Sequence, residues 1–181
     1  KIKKIFRSKN GGVGAAVKDG YRNSLKDQND ITVRIDGDGQ MDPKLITDFI
    51  KPIINEKADF TKGNRFQNFT FLKEMPISRI IGNIFFSTLG MILTSNYRIF
   101  DFQNGFTSIE NKVLRKVLRK NLDDDFFFEN SLIYNLSKMN VKILDINMKA
   151  SYAKEKNNLN ILTTGSIILY KNILLFFNSK K

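Results

Sequence analysis

Two aspartates separated by one residue are the strongest candidates for chemistry in this sequence. Asp36 and Asp38 stand in the stretch Asp36-Gly37-Asp38-Gly39-Gln40-Met41-Asp42-Pro43, directly after the β-branched run 31–35. In extended backbone, alternate side chains point the same way, so both carboxylates can face one site. Carboxylate oxygens are hard ligands that suit Mg²⁺ or Mn²⁺, and the neighbouring glycines let a ligand approach the main chain.

Two other structures could produce such a stretch. An EF-hand loop would need glycine at the position of Met41 and glutamate at the position of Thr47, so the sequence does not fit one. A plain Asp/Gly turn after a strand is common and would explain an Asp-x-Asp pair alone. The longer string, with Gln40 and Asp42-Pro43, is much less expected of a simple turn.

The residue types that are missing narrow the chemistry further. The chain of 181 residues has no cysteine and no histidine. Disulfides, zinc sites built on those residues, cysteine nucleophiles and histidine acid–base catalysis are therefore excluded. Any metal would be held by oxygen ligands, and any proton transfer would fall to Asp, Glu, Lys or Tyr.

Composition indicates one packed domain with an anionic partner. The hydrophobic fraction of 41% and the 16 phenylalanines favour a globular core over disorder. The formal net charge of +12 favours binding to something negatively charged. Nucleic acid, an anionic membrane surface and phosphorylated small molecules all qualify, and charge alone does not distinguish them.

Strand and helix patterns alternate along the chain. Strands are predicted at 3–7, 31–35, 58–61 and 141–148, and helices at 13–25, from Pro43 onward, and at 79–93, 114–118 and 127–139. This alternation is typical of an α/β domain. The apolar tail 167–177 fits either a packed amphipathic helix or one that lies at a membrane surface.

A glycine-rich stretch precedes the first predicted helix. Asn10-Gly11-Gly12-Val13-Gly14 is not a dinucleotide fingerprint, because Val17 stands where the third glycine should be, and no P-loop follows. A turn that begins the helix and a contact to phosphate or ribose explain it equally well. Asp123-Asp124-Asp125 follows basic residues and is predicted to be a solvated loop.

Further segments complete a pattern that runs through most of the chain. In order, they are 10–16, 36–43, 58–66, 75–79 with Gly82-Asn83, 101–106, 127–129, and Tyr152 with Glu155. Together they resemble the family 2 glycosyltransferases, most closely the branch that transfers sugars to dolichyl or polyprenyl phosphate. The resemblance covers the sequence up to about residue 161.

The resemblance implies the nucleotide-diphospho-sugar transferase (GT-A, Rossmann-like) fold. An open, mostly parallel sheet would bind the donor beyond the carboxyl ends of its strands, which agrees with the position of Asp36. A catalytic domain is expected over 1–162, followed by an amphipathic or juxtamembrane helix over 163–181. The sequence begins after the opening strand and the Pro-x-x-Asn-Glu stretch of relatives, so we expect part of the nucleotide site to be missing.

The resemblance also implies roles for individual residues. The metal would be held by Asp36 and Asp38, with Gln40 as a further ligand. Contacts to the donor or to phosphate would come from Asn10, Gly11, Gly12, Asp36, Asp38, Arg65 and Arg79. The catalytic residues would be Arg65, which opposes the charge of the leaving diphosphate, and Asp101 and Glu129, the candidates for a general base. A surface position is the alternative for Arg65.

The implied activity is an inverting, metal-dependent transfer of a hexose from a nucleotide-diphosphate sugar. The acceptor would be a polyprenyl phosphate or a glycan, in cell-envelope synthesis at the cytoplasmic face of the membrane. The apolar helix 79–93 could rest on lipid, and no nucleic acid would bind. The alternatives are a basic nucleic-acid-binding module, suggested by charge and abundant phenylalanine, and a truncated, non-catalytic relative.

Overall fold

An open four-stranded sheet forms the centre of the fold in the computed structural model. The structure describes residues 2–73, 75–94, 99–149 and, apart from 168 and 173, 166–174. The strands are β1 (Ile31–Arg34), β2 (Phe60–Asn64), β3 (Thr107–Glu110) and β4 (Ile143–Asn147), in the spatial order β1-β3-β2-β4. β3 is antiparallel to β1 and β2, whereas β2 and β4 are parallel. Thus β1, β2 and β4 share one direction.

The five helices described are α1 (Val13–Ser24), α2 (Ile46–Ile54), α3 (Ile77–Thr94), α4 (Asn111–Val117) and α5 (Phe128–Lys138). They confirm the predicted helices, with ends shifted by a few residues, and complete the predicted α/β class. A 3-10 turn over Pro43–Leu45 leads into α2, and Asp42 accepts the Lys44 N–H at 3.0 Å as its cap. Proline suits this first turn because it has no N–H to leave unpaired.

Helices cover both faces of the sheet. Neighbouring residues of a strand point to opposite faces, so one strand can contact the helices on both sides. Phe60 of β2 lies in the larger core cluster, with Leu114 of α4 and Leu132 of α5. The next residue, Thr61, donates to the carbonyl of Phe49 in α2 at 2.9 Å. A second apolar cluster is centred there on Phe49, Phe106 and Met148. The rings of Phe49 and Phe106 stack with their centroids 3.9 Å apart.

Two features of the sheet differ from the sequence prediction. β3 was not predicted, because Thr107-Ser108-Ile109-Glu110 is short and largely polar; its pairing with β1 and β2 on both edges stabilises it. The strand predicted at 3–7 is wrong, because those residues form no strand and are exposed. Each edge strand of the sheet is hydrogen-bonded to its inner neighbour: β1 pairs with β3, and β4 pairs with β2.

The predicted loop 123–125 is a loop with Asp124 exposed to solvent, and it is also a junction of the fold. Lys171 donates to both oxygens of Asp123, at 2.8 and 2.9 Å, and to Asp125 at 2.7 Å. The described residues of 166–174 are helical, so Lys171 ties that helical stretch to the loop. Tyr152, Glu155 and the predicted boundary at residue 162 lie outside the described residues.

Candidate functional site

The Asp-x-Asp motif lies at the carboxyl end of β1, as predicted. The side chain of Asp36 is 36% exposed, and its Oδ1 accepts from Arg34, at 3.1 Å from Nε and 3.0 Å from Nη2. Asp38 is exposed, and its Oδ1 accepts the Gln40 N–H at 3.0 Å. Met41 packs against the second cluster and its sulfur lies 3.4 Å from the Asp36 nitrogen. Residues 36–42 therefore form one loop, in which Gln40 and Met41 contact the two aspartates.

The loop 101–106 packs directly beside Asp36. A Cβ added at Gly105 would lie 2.2 Å from Asp36 Oδ2 and 3.0 Å from Arg34 Nη2, so any side chain at this position would displace the carboxylate. The buried Lys62 ammonium donates to the carbonyl of Asn104, and Gly63 N–H donates to the carbonyl of Phe106 at 2.9 Å. The end of β2 thus holds this loop against the end of β1.

Arg65 and Asp101 form a buried, bidentate ion pair. Arg65 Nε lies 2.6 Å from Asp101 Oδ2, and Nη2 lies 2.7 Å from Oδ1. The backbone N–H of Arg65 also donates to Oδ2, at 3.1 Å. Burial raises the pKa of Asp101, but the charge and hydrogen bonds of Arg65 outweigh it and hold that pKa below its usual value. In this arrangement Asp101 anchors Arg65, and a role as base would require the pair to separate.

Glu129, in the first turn of α5, is also held by an arginine. Its Oε1 accepts from Arg34 Nη1 at 2.6 Å, and both side chains are largely buried. The other predicted candidate for a base is therefore an ion-pair partner in this structure. The structure brings Asp36 and Glu129 together through Arg34, which the sequence analysis did not single out.

Buried charge extends beyond the predicted residues. Burial lowers the pKa of Lys62 to about 8, although Glu129 and Asp101 favour its charged form. Burial raises the pKa of Asp145 in β4 to about 6, while the backbone N–H of Phe100 and the side chain of Asn64 donate to it. Arg34 and Lys62 are basic residues within short apolar strands. That position was the signal in the sequence that could have identified them as buried charges near the site.

The glycine-rich stretch contacts the protein's own backbone. Gly12 has φ 90°, and a Cβ there would lie 2.3 Å from the carbonyl oxygen of Asp124. That same oxygen accepts the Ala15 N–H of α1 at 2.9 Å, and Asn10 Oδ1 accepts the Gly12 N–H at 3.0 Å. This packing accounts for the glycine at position 12. Donor contacts by Asn10, Gly11 and Gly12 stay a prediction.

Arg79 and Gln40 are the remaining predicted site residues, and both are half-buried. Arg79 lies in the first turn of α3, where its N–H donates to the carbonyl of Pro76 at 2.9 Å. Gln40 follows Asp38 in the motif loop. Their roles toward phosphate and metal stay predictions.

The oxygen donors at the end of β1 fit a hard divalent cation. Within the described residues, no group of three or more acidic side chains could hold a metal. Asp36 and Asp38 would supply the protein ligands, since Mg²⁺ and Mn²⁺ take carboxylate oxygens. The hydrogen bonds described use Oδ1 of each aspartate, so Oδ2 is the oxygen that each could offer.

Comparison with known proteins places the chain in a family. Residues 1–118, which include Asp36, Asp38, Arg65 and Asp101, match the family described as glycosyl transferase family 2. The chain belongs to this family, and its open α/β sheet is consistent with the GT-A fold. Glu129 lies beyond the matched range.

Two relatives extend this comparison. The chain is 34% identical over 122 residues to the UDP-N-acetylglucosamine–dolichyl-phosphate N-acetylglucosaminyltransferase of Methanococcus voltae. This match covers 67% of the chain and 48% of the relative, so the chain spans about half the length of that protein. An uncharacterised protein of Methanocaldococcus jannaschii is 26% identical over 167 residues, or 91% of the chain and 68% of the relative.

Proposed function

We propose that this chain is the catalytic part of an enzyme that transfers a sugar from a nucleotide-diphosphate donor to a polyprenyl phosphate. The proposal rests on the placement of Asp36 and Asp38 in a glycosyltransferase family 2 chain, at a strand end beside the loop 101–106. The activity named for the Methanococcus voltae relative supports a lipid-phosphate acceptor.

In the proposed reaction, an acceptor phosphate oxygen attacks the anomeric carbon as the bond to the donor diphosphate breaks. Attack from the opposite side inverts the configuration, and the nucleoside diphosphate leaves with the electron pair. Asp36 and Asp38 would hold Mg²⁺ or Mn²⁺ at the diphosphate. When bound, that cation would neutralise the charge that develops on the leaving group.

The state of the two candidate bases favours a phosphate acceptor. A sugar hydroxyl must lose a proton, whereas a lipid phosphate is already ionised and needs no base. Asp101 is fully buried against Arg65, and Glu129 is paired with Arg34. Both carboxylates are therefore engaged by guanidinium groups, which agrees with an acceptor that requires neither.

An exposed apolar face of α3 supports the proposal that the protein binds to a membrane surface. Its members are 41% to 74% exposed and share one side of the helix by their spacing: Ile77, Ile81, Ile84, Phe85 and Ile92. Among the residues that the structure describes, no helix has the length and apolarity needed to cross a bilayer. We infer that this face, called the α3 stripe below, rests on the cytoplasmic surface of a membrane, where polyprenyl phosphate is presented.

Many of the phenylalanines that suggested nucleic-acid binding lie in the core. The rings of Phe49, Phe60, Phe102, Phe106 and Phe128 are fully buried in the core. Base stacking would need them on an exposed sheet or groove.

Asp38→Asn tests the proposal. We expect the protein to fold but to lose transfer from UDP-N-acetylglucosamine to dolichyl phosphate by at least about 100-fold, because a ligand of the charge-neutralising cation is lost. Radiolabelled lipid product, formed with Mg²⁺ or Mn²⁺, is the measurement. Asp48→Asn, on an exposed position of α2, is the matched control and should retain activity.

The two variants separate the possible outcomes. Equal activity of Asp38→Asn and the unaltered protein would contradict the metal role. Absence of transfer by every form, including the control, would favour the non-catalytic relative.

A further inference from the structure

Arg34 divides its hydrogen bonds between two carboxylates on different elements. Its side chain is 8% exposed at the last position of β1. Nε and Nη2 donate to Asp36 Oδ1 at 3.1 and 3.0 Å, and Nη1 donates to Glu129 Oε1 at 2.6 Å. The guanidinium carbon also lies 5.8 Å from the centre of the Phe128 ring. This one side chain therefore connects the end of β1 to the first turn of α5.

The spacing along β1 explains why an arginine reaches both partners. Positions 34 and 36 lie on the same side of an extended backbone, so the Arg34 side chain runs alongside Asp36. A planar guanidinium presents several N–H groups in a fixed fork, whereas a lysine offers one compact point of charge. Only an arginine at position 34 can therefore fix the orientation of Asp36 while also bonding to Glu129.

The charge balance of the three groups bears on cation binding. An arginine paired with Asp36 alone would cancel the charge that attracts a divalent ion. Glu129 supplies a second negative charge, so Arg34, Asp36 and Glu129 carry a net charge of about −1 together at neutral pH. Asp36 is therefore not the only carboxylate that balances the charge of Arg34, although the buried Lys62 also interacts with Glu129.

We propose that Arg34 is a positioning residue, balanced in charge by Glu129, that orients the Asp36 carboxylate toward the metal and diphosphate of the donor. This inference rests on the proposed function. With Oδ1 fixed by Arg34, the other oxygen, Oδ2, lies beside Gly105 in the loop 101–106. Glu129 then acts through Arg34 and takes no proton from the acceptor.

Arg34→Lys and Glu129→Gln test this inference through metal binding as well as activity. Binding of Mn²⁺ together with UDP is measured by calorimetry, and thermal unfolding without metal reports the fold. We expect both variants to bind Mn²⁺·UDP about 10-fold to 100-fold more weakly, as is usual when a group that orients a metal ligand is altered. In transfer assays kcat should fall, and KM for the lipid phosphate should stay unchanged.

Controls make the result specific. Arg22→Lys, on an exposed position of α1 that pairs with Asp19, is the matched control and should bind as the unaltered protein does. Should Arg34→Lys fail to fold, Glu129→Gln still tests the idea, because it leaves Arg34 in place with its charge less balanced. Unchanged Mn²⁺·UDP affinity in a folded variant of either kind would overturn the inference.

A third variant separates this inference from the proposed function. If Asp38→Asn binds Mn²⁺·UDP normally, the proposed metal site itself fails. If Asp38→Asn loses binding while Arg34→Lys and Glu129→Gln keep it, only the positioning role is lost.

Discussion

Ion pairs with little exposure to water surround the loop 101–106. Arg65 pairs with Asp101, and Arg34 pairs with Glu129, each within 2.6 Å at the shortest contact. Burying such charges is costly unless every partner is present, so each pair commits its residues to one geometry. We infer that these pairs fix the positions of the groups near the motif before any donor arrives.

Asp101→Asn should destabilise the protein markedly, because it leaves the buried Arg65 guanidinium without its counter-charge. Removing one partner of a buried pair typically costs about 3–5 kcal/mol of unfolding free energy. Urea denaturation followed by circular dichroism is the measurement. Asp27→Asn, which removes the exposed pair with Lys3, is the control and should cost no more than about 1 kcal/mol. A similar small loss in both variants would contradict a structural role for Asp101.

For individual residues, the sequence was enough to predict which ones belong to the candidate site, but not which ion pairs they form. Asp36 was predicted from its motif, and Asp101 and Glu129 were predicted from the family resemblance. The structure connects Asp36 to Glu129 through Arg34 and places Asp36 beside the loop that begins at Asp101. Their pairing was not predictable, because Glu129 and Arg34 are 95 positions apart and meet only in the fold. The metal and base roles followed from matching positions in the family, and such a match does not show which partner each carboxylate already binds.

Among the elements, the start of α1 depends on a loop that lies far along the chain. Gly12 and Gly14 both approach the backbone of 123–125, and the carbonyl of Asp124 accepts an N–H from the first turn of α1. The N-cap residue, Gly12, has no side chain with which to cap the helix. The loop carbonyl therefore takes the place of a side-chain cap. Small residues are required there because two backbone segments touch.

Gly12→Ala should destabilise the protein by about 2–3 kcal/mol, since it adds a Cβ at positive φ against a carbonyl oxygen. Gly20→Ala in the same helix is the matched control, because a Cβ there meets nothing within 4 Å. That change should stabilise the protein by roughly 0.5–1 kcal/mol, as alanine is the better helix former. Melting temperatures that shift in the same direction for both variants would contradict this account.

The elements were largely predictable, for a physical reason. α1, α2, α3, α4 and α5 carry their own apolar periodicity or starting signals, so local sequence was enough to find them. β3 carries no such pattern and exists because β1 and β2 supply partners on both edges. Local sequence contains no information about those neighbours.

The molecule as a whole combines an apolar face with a strong positive charge. The α3 stripe is exposed, and the chain carries a net charge of +12. Anionic lipid attracts basic residues at about 1 kcal/mol for each one near the surface, while apolar side chains gain from leaving water. We propose that together these features favour adsorption of the α3 stripe to an anionic bilayer.

Replacing Ile81 and Phe85 together with asparagine should weaken binding to phosphatidylglycerol vesicles by at least about tenfold, since two apolar side chains would no longer enter the lipid. Co-sedimentation with vesicles is the measurement. Ile54→Asn is the control, because Ile54 is 64% exposed and belongs to a different helix, α2. Equal vesicle binding by the double variant and the control would show that α3 does not face lipid.

The contact of Lys171 with Asp123 and Asp125 has a consequence for how the polypeptide can be shortened. A protein cut at residue 162, the predicted end of the catalytic domain, would keep both carboxylates and lose the Lys171 ammonium that contacts them. Their mutual repulsion would then loosen the carbonyl of Asp124 from the N–H of Ala15, more than 100 positions upstream. The helical residues near Lys171 thus help to hold the first helix in place, and removing them would destabilise a segment near the other end of the polypeptide.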